Sequence, residues 1–298
     1  MYPDLFKIGD FVITSFGVMM FLSFLTAAWI TGAQLRRYGL PKELAWDMLA
    51  WCALGGILGA KLYYLVLHWE ALLANPMGEI LSRGGLVWYG GLIGGVTAYY
   101  LQVRARKLPV ATMYDATAPA LALAYVVGRF GCFLVGDDYG RYTDGPLGIA
   151  FPRGAPPSTA ENLRLMGEDV PAHIADAAVV PVHPTQLYEM ALASIMFVIL
   201  WRVGRKAGLR TGQLFALYMI LYGIERFGIE FVRAKSDRIF LGGVGLSTSQ
   251  IMSVFLAALG AWLWWHRGRA GAPVPLAAHA PPAAAGSRPR PDKRLRKK

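Results

Sequence analysis

Residues 12–33 read VITSFGVMMFLSFLTAAWITGA, twenty-two positions without a charge. The hydrocarbon core of a bilayer is about 30 Å thick, and a helix crossing it needs about 20 mostly apolar residues. This run is long enough. Six further segments share its character, at 44–67, 85–103, 112–135, 186–203, 213–232 and 248–265. In hydrocarbon each backbone amide must find its partner inside its own segment or a closed sheet, so runs of this length point to helices. The expectation is an all-α, polytopic membrane protein with about seven transmembrane helices. Composition agrees, with 55% hydrophobic and only 16% charged residues. Two cysteines argue against a disulfide scaffold, and 12% aromatic residues argue against a disordered chain.

A formal charge of +11 is unusual beside such apolarity, and its placement explains it. Lysines and arginines of cytoplasmic loops set membrane orientation. One set of alternate loops holds Arg36, Arg37, Lys42, then Arg104, Arg106, Lys107, then Arg202, Arg205, Lys206, Arg210. With the C-terminal tail that side carries 19 of the 30 basic residues, against eight on the other. The bias predicts a periplasmic N-terminus and a cytoplasmic C-terminus, the parity that seven spans require. The start MYPDLFKIGDF has no small-residue cleavage site, so the first span is expected to stay in the mature protein. Residues 1–268 are read as one transmembrane domain with a periplasmic insertion at about 136–184. Residues 269–298, rich in Ala and Pro and ending RPRPDKRLRKK, are read as a disordered cytoplasmic tail. The tail's basic end either touches anionic lipid or only fixes topology. It carries no aromatic or motif suited to nucleic acid, and nucleic acid is not expected as a partner. Cys52 and Cys132 are read as free buried thiols. No cluster with metal-ligand spacing is seen, and neither metal nor cofactor is expected.

Three of the 30 basic residues, Lys61, Arg129 and Arg226, fall inside spans, where ionisable groups are costly and mark candidate sites. In GRFGCFLVGDDYGR (128–141), Arg129 and Cys132 share a helix face, and Asp137 and Asp138 follow at the outer end. In YGIERFGIEFVR (222–233), Tyr222, Arg226 and Glu230 are spaced four apart, and Arg233 continues roughly the same stripe. In PVHPTQLYE (181–189), His183 is extended before a proline, Thr185 is placed to cap the next helix, and Gln186 and Glu189 share a face. In GGLVWYGGLIGG (84–95), paired glycines four apart suit close helix packing, with Tyr89 beside them. Each pattern also has a purely structural reading, as an internal salt bridge, a capped re-entry point or a packing seam. Arginine is suited to two-point capture of phosphate, and a buried protein meets phosphate mainly as lipid headgroups. A membrane cavity for an anionic phospholipid follows, with acids and phenols available for proton transfer.

Taken in order over residues 1–265, these segments resemble the prolipoprotein diacylglyceryl transferase family. GRFGCFLVGDDYG is similar to the family's G-R-x-G-N-F-x-N-x-E-x-x-G signature, and HPTQLYE, YGxxRFxxEFxR, GGLIGG and GLSTSQIMS are family-like. The resemblance implies a multi-pass enzyme of the bacterial inner membrane. It would move the diacylglyceryl unit of phosphatidylglycerol onto the lipobox cysteine thiol of a prolipoprotein signal peptide, forming a thioether and releasing glycerol phosphate. By the same resemblance Arg129 and Arg226 hold the phosphate and leaving group, Glu230 and Arg233 shape the cavity, and Gly140 keeps the signature loop in place. His183, Gln186, Tyr188 and Glu189 organise the periplasmic rim. Tyr89 stands where the family commonly has a histidine proposed as base, Cys132 and Val135 replace signature asparagines, Asp137 replaces the signature glutamate, and Phe16 replaces a frequent tyrosine. Tyr89 and Asp137 are therefore carried as catalytic candidates, and Tyr222 as a substrate contact. A catalytically altered paralogue, or a lipid- or anion-binding transporter using the same arginines, are the rival readings.

Overall fold

The structure is a computed structural model that describes residues 1–8, 11–82, 85–205, 208–234, 238–241 and 244–274. About 65% of the described residues are helical. A short hairpin of β1 (Asp4–Ile8) and β2 (Phe11–Thr14) leads into α1 (Ser15–Arg37) and then α2 (Leu44–Leu67). Two six-residue helices, α3 (Trp69–Ala74) and α4 (Pro76–Leu81), connect to α5 (Trp88–Ala105) and α6 (Val110–Val135). The 136–184 insertion contains β3 (Ile149–Ala150), α7 (Ala160–Leu165) and β4 (Pro181–Val182). It is followed by α8 (Thr185–Val203), α9 (Gln213–Ile229), the hairpin of β5 (Arg238–Leu241) and β6 (Val244–Ser247), and α10 (Thr248–Ala270).

Seven of these helices, α1, α2, α5, α6, α8, α9 and α10, overlie the seven apolar segments of the sequence. Four of them, α1, α2, α6 and α8, are long and apolar enough to cross a membrane. The first helix starts at Ser15 rather than 12, because residues 11–14 pair as a strand and Thr14 accepts the Gly17 amide as N-cap. The sixth segment is cut shorter than predicted. Helix α9 ends at Ile229, with Glu230 as its cap, and Arg233 bridges Gly140 in an antiparallel backbone pair instead of extending a helical stripe.

Helix α6 sits centrally and packs against α1, α5, α8 and α9, while α2 pairs with α5 and α10 with α9. The α2–α5 seam rests on the glycine pattern seen in the sequence. A Cβ on Gly94 would overlap the Gly55 carbonyl oxygen, and one on Gly59 would overlap that of Gly90. Gly94→Val is therefore expected to part the two helices. Overpacking costs about 1–3 kcal/mol or more, and thermal unfolding in detergent should show a clear drop against wild type. The outward faces of α2 and α5 expose large apolar side chains such as Leu62, Val66, Ile93 and Leu101, which suits hydrocarbon as solvent.

Several span charges are absorbed structurally. Arg106 pairs with Asp47 at 2.6 Å where α5 ends and α2 begins. Lys61 donates to the Ser82 carbonyl and hydroxyl oxygens. Buried Asp115 accepts the Gly212 and Phe215 amides and so caps α9 from α6. The insertion has its own apolar core of Tyr139, Phe151, Leu163, Val170, Val180 and Val182. Beyond α10, the chain at 271–274 lies along 209–211, where the Thr211 amide donates to the Ala272 carbonyl and the Val274 amide to that of Leu209. The rest of the predicted tail, 275–298, is outside the described residues, as are Arg83, Lys206 and Lys235 of the loop charges.

Candidate active site

Three arginines from distant parts of the chain converge on one buried carboxylate. Arg129 comes from the last two turns of α6, Arg226 from the last turn of α9, and Arg233 from the segment after α9. Glu189, in the second turn of α8, is fully buried. Arg129 grips it at two points, with Nη2 donating to Oε1 at 2.8 Å and Nε 2.5 Å from Oε2. Arg226 Nη1 reaches the same Oε1 at 3.4 Å, and Arg233 Nη1 approaches it at 3.5 Å. The place of Glu189 near the start of α8 also suits the helix dipole, but its partners in the structure are three guanidinium groups.

Around this centre the second partners differ. Arg226 Nη2 lies 3.1 Å from Glu230 Oε2, the four-residue spacing read from the sequence, and also donates to Ser249 Oγ at 3.1 Å. Asp138 bridges the other two arginines, with Arg129 Nη1 on Oδ2 at 3.0 Å and Arg233 Nη2 on Oδ1 at 2.5 Å. Its backbone is left-handed, with φ of 55°, a region aspartate tolerates better than most residues. Arg129 Nη1 also reaches Cys132 Sγ at 3.6 Å, and its Nε donates to the Tyr125 hydroxyl at 3.3 Å.

The loop that carries Asp137 and Asp138 is clamped by α8. Thr185 does not cap its own helix; its hydroxyl donates to the Asp138 carbonyl at 2.7 Å, a tertiary partner winning over the local one. Gln186 Nε2 donates to the Asp137 carbonyl at 2.5 Å. Gly140 donates its amide to the His183 carbonyl at 2.8 Å, and a Cβ there would overlap the Val232 carbonyl oxygen and crowd His183 and Thr185. His183 Nδ1 lies 3.3 Å from the Tyr188 hydroxyl at the edge of the cluster. Tyr222 stacks on Tyr218 and meets Tyr125 edge-on, below the arginines.

Arg129, Arg226, Glu189, Glu230, Arg233, Asp137, Gly140, Gln186, His183, Tyr188 and Tyr222 thus occupy one region. Tyr89 stands on α5, the helix paired with α2, and is 58% exposed. Sequence reasoning noted Asp138 and Glu225 without giving either a role, and left out Ser249 and Tyr125. Tyr125 is legible as the i−4 neighbour of Arg129, and Ser249 lies in the flagged GLSTSQ segment. Cys132, Asp137 and Asp138 also bring a sulfur and carboxylate oxygens within 4.8 Å of one another, a grouping the linear spacing hides. Arg129 and Arg233 already supply the positive charge on Asp138.

Electrostatics separates the two neighbouring aspartates. Burial opposes ionisation of both. For Asp138 the nearby Arg233 and Arg129 outweigh it and hold the carboxyl below its usual range, whereas Asp137, with Asp138 as an anionic neighbour, is pushed up. A depressed carboxyl stabilises the fold above its unfolded value, near ~3.9, and loses that contribution as pH falls through the folded value. Asp138→Asn is therefore expected to lower the thermal midpoint at pH 7, with the difference from wild type shrinking below about pH 4. Unfolding curves across that range check it.

Apolar helices enclosing a paired set of guanidinium and carboxylate groups define a membrane-type protein with a buried ionic centre. The family model for prolipoprotein diacylglyceryl transferase matches residues 3–266. A phosphatidylglycerol–prolipoprotein diacylglyceryl transferase of Clostridium tetani is 33% identical over 268 residues, 89% of this chain and 97% of that protein. One of Stenotrophomonas maltophilia is 35% identical over 271 residues, 87% of this chain and 89% of that protein. The chain belongs to the prolipoprotein diacylglyceryl transferase family.

Proposed function

We propose that this chain is a seven-span enzyme of the bacterial inner membrane, with its N-terminus periplasmic and its C-terminus cytoplasmic. It transfers the diacylglyceryl group of phosphatidylglycerol to the lipobox cysteine thiol of a prolipoprotein signal peptide. A thioether forms and glycerol phosphate leaves. Family membership supports the activity, and the 19-to-8 split of basic residues between alternate loops supports the orientation. The single observation that carries the site assignment is the convergence of Arg129, Arg226 and Arg233 on buried Glu189.

The geometry divides the work among the arginines. Arg129 is fixed at short range by Glu189 and Asp138 and acts as the rigid floor. Arg226 holds its acids at 3.4 and 3.1 Å, looser contacts that an incoming phosphate can replace. The substrate thiolate attacks the glyceryl carbon next to the phosphate ester, and charge grows on the departing phosphate, where preorganised guanidinium donors stabilise it. Glu230 and Ser249 aim Arg226, and Asp138 aims Arg129 and Arg233. The clamp of Thr185, Gln186 and His183 on the 137–140 loop keeps Asp138 in reach.

Tyr89, exposed on α5, orients the headgroup or peptide rather than accepting the proton. Tyr89→Phe is expected to keep at least about a third of wild-type kcat/KM with an unchanged pH profile. A profile displaced by a unit or more would return the phenol to the proton path.

The function itself is tested by mixing purified protein with phosphatidylglycerol and a lipobox peptide. Mass spectrometry is expected to find the diacylglyceryl thioether. No product, beside a working relative in the same assay, would overturn the transferase reading.

A further inference from the structure

Glu225 is a buried acid that forms no ion pair with a guanidinium group among the described residues. It lies on α9 and is only 6% exposed; among the described residues, neither carboxylate oxygen accepts a hydrogen bond. Asp138, Glu189 and Glu230 each lie within ion-pair distance of a guanidinium group. Asp137 has no such partner among the described residues either, but it is not fully buried and lies outside the helices. A carboxylate sealed from water without donors costs several kcal/mol, which a purely structural position does not call for when leucine would fill it.

Glu225 directly precedes Arg226 on α9, and its buried carboxyl lies within electrostatic range of the arginine cluster. From α6, Tyr125 and Arg129 act on it electrostatically, and from α8, Glu189 does. On its own helix Tyr218, Tyr222 and Arg226 do so, and Arg233 beyond the helix end. A carboxylate gripped by arginine is a weak base, because the guanidinium stabilises the anion. Glu225 is free of that grip, yet stands beside the arginines assigned to the phosphate. The reaction needs a group to accept the thiol proton.

We infer that Glu225 takes the proton from the attacking lipobox thiol, an assignment that rests on the transferase reading above. The proton moves to a Glu225 oxygen as sulfur bonds to the glyceryl carbon. The carbon–oxygen bond to phosphate breaks, with its electron pair on the phosphate oxygen. Glu225 then returns the proton to the departing glycerol phosphate, and the glutamate ends as it began.

The test is steady-state kinetics of wild type, Glu225→Gln and Glu225→Asp with phosphatidylglycerol and a lipobox peptide from pH 6 to about 9.5. A general base contributes about 10²-fold or more, so Glu225→Gln is expected to lose kcat by that factor at pH 7 with KM nearly unchanged. The deficit should narrow above about pH 8.5, where the thiol ionises unaided, and Glu225→Asp should recover part of the rate. A selenocysteine peptide, already ionised at pH 7, should bring Glu225→Gln close to wild type. A Glu225→Gln rate near wild type overturns the assignment. So does a deficit equal at every pH and with either peptide, or a raised KM with kcat intact, which would make Glu225 a brace or a headgroup contact. Wild type making no product in this assay overturns the transferase reading and this assignment with it.

Discussion

Arg129→Ala is expected to abolish turnover, by at least about 10³-fold in kcat/KM, while the protein still inserts in the membrane. Removing one preorganised donor from a developing oxyanion typically costs about 10²–10³-fold, and here the lost donor is a full cation in a buried site. The loss also strands Glu189, which Arg129 holds at 2.8 and 2.5 Å. Arg129→Lys keeps the charge and should recover little, because an ammonium cannot match the two-point grip on Glu189 and still reach Asp138. Rates of product formation by mass spectrometry, with membrane-fraction yield as the control for insertion, check both variants. A lysine variant near wild type would mean that charge alone suffices and that the fork geometry is incidental.

Glu189→Ala is the second large effect, and it falls first on stability. Three guanidinium groups share this carboxylate, and its removal leaves them facing one another in a dry interior. Breaking a buried ion pair by deleting one partner costs about 3–5 kcal/mol, so the thermal midpoint should fall on the order of 10 °C. Activity should be lost with it. Glu189→Gln separates the two contributions. The amide keeps the shape of the side chain but not the charge, so it should restore part of the midpoint and little of the rate. If Glu189→Ala unfolds with the wild-type midpoint, the arginines are held by other groups and Glu189 is not their centre.

Much of the architecture could be read before any coordinate. The seven apolar runs overlie seven helices, four of them long and apolar enough to cross a membrane, because an unbroken apolar run of helical length is a continuous signal. The glycine pairs of 90–95 forecast the tight α2–α5 seam, since only a missing side chain lets two backbones meet. Arg129 and Arg226 stood out because charge is costly in an apolar run. Of their pairings only that of Arg226 with Glu230, four residues on, was legible. Arg129 and Glu189 are 60 residues apart, and Arg233 and Asp138 are 95 apart, so no local spacing joins them. Local rules also failed where a tertiary partner was better. Thr185 has the sequence position of a helix cap, yet its hydroxyl goes to the Asp138 carbonyl. The apolar run past Ile229 looks helical, yet the chain turns there to pair Arg233 with Gly140, a contact only a glycine at 140 permits. Tyr89 drew attention as a phenol beside the glycine pairs and through the resemblance, and the structure shows it exposed on α5.

The central claim is that the arginine cluster between α6, α8 and α9 receives the phospholipid phosphate. Native mass spectrometry of detergent-solubilised protein, washed and then supplied with phosphatidylglycerol but no peptide, tests it without requiring turnover. Wild type is expected to retain one phosphatidylglycerol, and the Arg129→Ala/Arg226→Ala double variant to lose it while keeping its fold. Retention by the double variant equal to wild type would contradict the claim and place the headgroup elsewhere.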